Sequence, residues 1–203
     1  MLRASFNNIG RKVGLLCAFF MLILVQSGNA SYLLVNDNIV NAKVSKKIES
    51  MGTELFEKTS VNVYAVALET LNKQTIIAYE QIISKELKSP YVLLTLAKDE
   101  EQVDIVYSKD LEDKIDKEAI LSPFPWSGTI VPLLAVKKDH DKYNAAMLNG
   151  YADIVERIAD SYHVKLESAI GSTNKNIIFY FKMALYAFLL SVLIRYIFKK
   201  VRK

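Results

Sequence analysis

Tyr91-Val92-Leu93-Leu94-Thr95-Leu96-Ala97, Lys98-Asp99-Glu100-Glu101 and Gln102-Val103-Asp104-Ile105-Val106-Tyr107 are three consecutive runs on which the fold turns. The first is apolar apart from one threonine, as a strand buried on both faces should be. The last alternates, with Val103, Ile105 and Tyr107 on one face and Asp104 and Val106 on the other. The charged run between them is short enough for a tight connection. The spacing predicts a β-hairpin across residues 91–107.

Upstream, residues 40–58 place Val44, Ile48, Met51, Leu55 and Phe56 at helical spacing, with Lys and Glu on the opposite face. Residues 61–68 are a β-branched and aromatic run of strand length. A second helix is expected over 73–87, with Ile76, Tyr79, Ile83 and Leu87 inward and Ser89-Pro90 as its stop. Downstream, Ser108 is expected to cap a charged helix over 109–121 that turns Leu111, Ile115 and Ile120 inward. Residues 122–128 read as a loop. Residues 129–136 are apolar, either a strand or a buried entry to the longest helix, 141–163. That helix turns Ala145, Leu148, Tyr151, Ala152, Val155, Ile158 and Ala159 to the core. This order predicts a three-layer α/β/α sandwich with a small mixed sheet.

The ends assign compartments. Arg3, Arg11 and Lys12, with no acid among them, precede the apolar run 13–25 and the small residues up to Ala30. This is the pattern of a cleaved secretory signal, residues 1–30. Cys17 lies within it, so a mature chain would hold no cysteine for disulfides, thiol catalysis or metal. Residues 177–198 are apolar enough for one C-terminal transmembrane helix, which needs about 20 such residues. Lys182 and Arg195 would snorkel from it to the interface. The hinge 171–176 precedes it, and the tail 199–203, with Lys199 and Lys200, would face the cytoplasm. The expected location is therefore the inner membrane, single-pass, with the domain 31–170 on the extracytoplasmic side.

Residues 31–174 hold 16 basic residues against all 22 acidic ones, a net −6. That excludes a nucleic-acid surface, which needs local positive charge.

The phrases Ser89-Pro90-Tyr91-Val92-Leu93-Leu94, Val103-Asp104-Ile105-Val106-Tyr107-Ser108-Lys109-Asp110-Leu111-Glu112 and Asp141-Lys142-Tyr143-Asn144-Ala145-Ala146-Met147-Leu148-Asn149-Gly150 occur in the order of the TPM domain family. The chain resembles that family over roughly residues 38–163. The resemblance implies a membrane-tethered accessory to a larger membrane complex. For members that act as phosphatases or bind calcium, it implies a metal-dependent phosphatase instead. The family's usual Asp-Asn-Gly before the central strand is Lys88-Ser89-Pro90 here, which favours the accessory reading.

Two groups of residues carry candidate chemistry. Asp99, Glu100, Glu101 and Asp104 form the densest carboxylate cluster, and oxygen ligands at a turn would suit a hard cation such as Ca²⁺. No glycine is present to wrap the loop round an ion, so a solvated turn fits better and no cofactor is expected. His140 and His163 would lie at opposite ends of the long helix, separated by 23 residues at about 1.5 Å each and so by more than about 30 Å, too far to share a metal. No Gly-x-Ser-x-Gly, His-Glu-x-x-His, phosphate loop or Cys/His zinc spacing occurs.

The second group is Pro123-Phe124-Pro125-Trp126, which carries the only Trp of the chain. Prolines stiffen the loop, so exposed Phe124 and Trp126 would bind a partner at low entropic cost. The alternative is that both rings fold back on the core. The expected function is a non-enzymatic accessory factor for a membrane protein complex, with that complex and the lipid bilayer as partners.

Overall fold

The computed structural model describes residues 31–136, 141–170, 183–191 and 195. Four strands form one mixed sheet in the order β1 (Leu33–Asn36), β2 (Asn62–Leu68), β3 (Tyr91–Ala97) and β4 (Gln102–Tyr107). The first three run parallel, and β4 turns back beside β3 as the predicted hairpin, with Leu94 opposite Ile105 and Thr95 opposite Asp104. Because β2 and β3 are central and covered on both faces, they show the continuous apolar runs seen in the sequence.

One face is covered by α1 (Ala42–Thr59) and α5 (Lys142–Ser161). Asn41 starts α1 by accepting a hydrogen bond from Val44 N at 3.0 Å. Ser60 ends it in the left-handed region (φ 60°), donating its N–H to Phe56 O at 2.8 Å. Val44, Ile48, Met51 and Leu55 meet Val92, Leu94 and Leu96 of β3 in the main core. The other face is covered by α2 (Ile76–Ser84), whose Ile76, Tyr79 and Ile83 join Leu87 over Val66, Leu68, Leu71, Leu93 and Ala97. Those four helix-side residues are the ones that periodicity selects.

The main core is closed by a close approach of helices. Tyr151 of α5 reaches between the layers and donates its hydroxyl to Val63 O of β2 at 2.7 Å. Gly52 of α1 leaves the room for it: a Cβ there would overlap the Tyr32 ring and the Tyr151 hydroxyl. Burial pushes the Tyr151 hydroxyl well above the usual phenol range, so it stays a donor. After α5 the chain turns back along α1, where Glu54 accepts bonds from Glu167 N, Ser168 N and the Ser168 hydroxyl.

Four expectations change. The helix over 109–121 is instead a 3₁₀ turn (Lys109–Leu111) followed by α3 (Lys117–Ile120). Ser108 stands at the start of that turn but its side chain does not cap it: its hydroxyl accepts from Tyr91 N at 3.1 Å, while Asp116 starts a new helix by accepting from Ala119 N at 2.9 Å. Residues 129–136, read as a strand or a buried entry to the longest helix, form no strand; they hold α4 (Val131–Leu134), with Pro132 in its first turn. Strand β1 was missed: only four residues long, it is too short to show a period.

The fourth change concerns the fold class, expected to be an α/β/α sandwich completed by a C-terminal transmembrane helix. The fold is mixed α/β with a four-stranded sheet and helices. Among the described residues no helix is long and apolar enough to cross a membrane. Residues 183–191 are helical. Arg195 is helical and exposed. The signal, 1–30, the hinge, 171–176, the rest of 177–198 with Lys182, and the tail with Lys199 and Lys200 lie outside the described residues, as does His140.

The Gly52 contact gives a direct test of the packing. Gly52→Ala should lower the free energy of unfolding by about 1–3 kcal/mol, because a methyl group forced between two ordered rings overpacks the core. Urea denaturation of the two proteins measures it, and an unchanged midpoint would contradict the close approach.

Candidate functional site

The four hairpin carboxylates do not form a ligand set. Glu100 turns back to the loop after β2, where it accepts from the Thr70 hydroxyl at 2.8 Å and from Leu71 N at 2.9 Å. Those two bonds, the backbone one first, lower its pKa. Asp104 points to the α2 side of the sheet and takes Lys117 Nζ at 2.6 Å. It is a salt-bridge acceptor. Asp99 and Glu101 stand exposed at the turn, Glu101 with φ 51°. Among the described residues no three His, Cys, Asp or Glu side chains come together to hold a metal.

The rest of this sheet edge is also occupied. Asp37 accepts from Glu69 N at 3.0 Å, and Glu69 pairs with Lys98 at 2.6 Å. A cavity of about 200 Å³ lies beside the hairpin between Leu96, Val103, Leu134 and Tyr143. Lys142 at its wall is 5.0 Å from the Tyr143 ring centre and donates to Leu134 O at 3.2 Å. The cavity is mostly apolar, with Glu101, Gln102 and Lys142 also at its wall.

The aromatic loop has a different character. Phe124 and Trp126 are 53% and 69% exposed, and their rings stack at 5.0 Å with an interplanar angle of 16°. They do not fold back on the core. Phe124 O accepts from Ser127 N at 3.0 Å and Gly128 N at 2.7 Å, and the Ser122 and Ser127 hydroxyls meet at 2.7 Å. Gly128 is required by this closure, since a Cβ there would overlap the Ser122 carbonyl oxygen. Just past the loop, Thr129 N donates to Ile120 O at 3.0 Å. The Thr129 hydroxyl donates to Asp153 of α5 at 2.6 Å, and Arg157 holds the same carboxylate at 2.9 Å. The loop is thus closed on itself and bolted to the longest helix. It is a rigid apolar finger.

Sequence reasoning found both aromatic residues and missed the Asp153–Thr129–Arg157 tie, because a cross-element bond has no period to reveal it. It also missed Glu80, buried on the inner face of α2. There a signal existed: Glu80 lies four residues after Ile76 and three before Ile83, on the face that periodicity turns inward. His163 sits exposed in the left-handed region just past α5.

Gly128→Ala should open the finger and cost about 1–3 kcal/mol through lost turn bonds. Denaturation would give the stability loss, and altered Trp126 emission in the folded protein would report the opening. Unaltered emission with full stability would contradict the closed loop.

The architecture resembles that of a known structure. The N-terminal domain of a protein from P. gingivalis, solved by NMR, superimposes with a TM-score of 0.54 at 12% identity, covering 70% of this chain and 90% of that one. The N-terminal domain of the cg2496 protein from Corynebacterium glutamicum gives 0.49 at 11% identity over 72% and 87%. No curated protein matches the sequence. The TPM domain matches residues 34–157, from the start of β1 to the last turns of α5. With more than half its length matched, this chain belongs to the TPM domain family.

Proposed function

We propose that this TPM domain is a non-enzymatic docking module that assists a membrane protein complex from the extracytoplasmic side, with Phe124 and Trp126 as its anchor. One observation carries the reading: the two rings stand exposed and stacked on a loop that is already closed. Exposed aromatics on a stiff support are the residues interfaces use as hot spots, because little freedom is left to lose on binding. The carboxylates support the same reading from the other direction. Glu100 and Asp104 are committed to internal bonds, and hydrolysis assisted by a metal needs convergent ligands with an open position.

Crosslinking and affinity capture of the full-length protein, compared with Trp126→Ala, tests this. The expected result is a stoichiometric membrane-protein partner held by the wild type and reduced at least about tenfold in the variant, the loss of one aromatic hot spot. No partner with the wild type would overturn it. So would metal-dependent phosphatase activity that falls on Asp99→Ala or Asp104→Ala.

A further inference from the structure

Helix α2 departs from a simple amphipathic pattern at three positions. Ile77 and Ile82 face solvent, while Glu80 is the helix's one fully buried residue, only 1% exposed. No hydrogen bond of good geometry reaches either carboxylate oxygen of Glu80, the buried Thr95 Oγ1 or the buried Ser84 Oγ, one turn further along α2, although Thr95 and Asp104 stand close enough to act on Glu80. Three residues from the elements beneath bear on Glu80: neutral Thr95 of β3, Asp104 of β4 and Lys117 of α3. Asp104 is fixed in place by Lys117 at 2.6 Å.

A lone carboxylate cannot be kept dry as an anion when a second carboxylate stands beside it and the one cation is already bonded to that second group. Glu80 is stable there as the neutral acid, with one O–H to give and the Asp104 carboxylate placed to receive it. Burial first, and then the charge of Asp104, raise Glu80 to about 7, with Thr95 and Lys117 opposing only in part.

We propose that α2 is a proton-controlled flap, latched to β4 through Glu80 and Asp104 when Glu80 is neutral and released when it ionises. Release uncovers Val66, Leu68, Leu71, Leu93 and Ala97, the small apolar cluster that α2 covers. The main core on the other face does not depend on this helix, so it stays folded. The sign follows from linkage. In the open state Glu80 returns towards the ordinary carboxylate value of 4.5, and in the closed state it titrates at about 7. Closure is therefore strongest below the open-state value, weakens as pH rises through about 7, and is constant above it.

Amide hydrogen exchange of the full-length protein, corrected for intrinsic rates, reads the flap directly. Protection of α2 should fall at least tenfold between about pH 5 and about pH 8, while α1 and α5 stay unchanged. In Glu80→Gln, which is neutral at every pH, α2 protection should be flat across the same range. A flat wild-type profile, or a variant that keeps the wild-type drop, would overturn the proposal. Should the variant not fold, carboxyl-carbon NMR of the wild type decides. Glu80 titrating near neutrality in step with α2 exchange supports the latch, and titration at an ordinary carboxylate pH overturns it.

Discussion

The Tyr151 hydroxyl, bonded to Val63 O in the middle of β2, fixes the distance between the helical layer and the sheet. A phenol that long reaches a strand carbonyl only if the neighbouring helix gives way, and Gly52 is where α1 does so. Gly150 of α5 does the same for Ile130, whose side chain a Cβ there would crowd. The helix α5 is buried over so wide an arc that even Asp153 is enclosed, and that carboxylate is put to use holding Thr129 and Arg157. The position of the aromatic finger is thus inherited from the core through one helix.

The two faces of the sheet are unequal in consequence. The α1–α5 side has long helices, a large apolar cluster and an interlayer hydrogen bond. The other side has one short helix over five buried side chains, with a carboxyl group among them. Local opening free energies follow buried apolar contact, so motion belongs to the α2 side and rigid presentation to the α5 side.

What the sequence revealed follows the same physics. Strands β2, β3 and β4 and helices α1 and α5 were legible because each buries a full face, and burial writes a period into the chain. The hairpin turn fell where the charges are. The region after β4 was misread because Asp116 and Ser108 make local side-chain bonds that compete with a continuous helix, and charge alternation alone does not show which carboxylate wins. The carboxylate cluster was legible as a cluster, but each partner lies some thirty residues away or on another element, as with Glu100 and Leu71. Phe124 and Trp126 were found by composition, and whether the rings turned in or out depended on Gly128, whose need for a bare Cα is visible only in three dimensions.

Open α/β sheets commonly bind ligands outside the carboxyl ends of their parallel strands. Here that edge is cross-tied: Asp37 to Glu69, Glu69 to Lys98, Glu100 to Thr70 and Leu71. The apolar surface that the core holds out is elsewhere, on the finger. Since Trp126 is the only tryptophan in the chain, its fluorescence tests the account at its centre. Steady-state emission with acrylamide quenching of the full-length protein should show a solvent-exposed indole, red-shifted and readily quenched. A blue-shifted, poorly quenched tryptophan would mean that the finger lies against the core, and the docking account would be wrong.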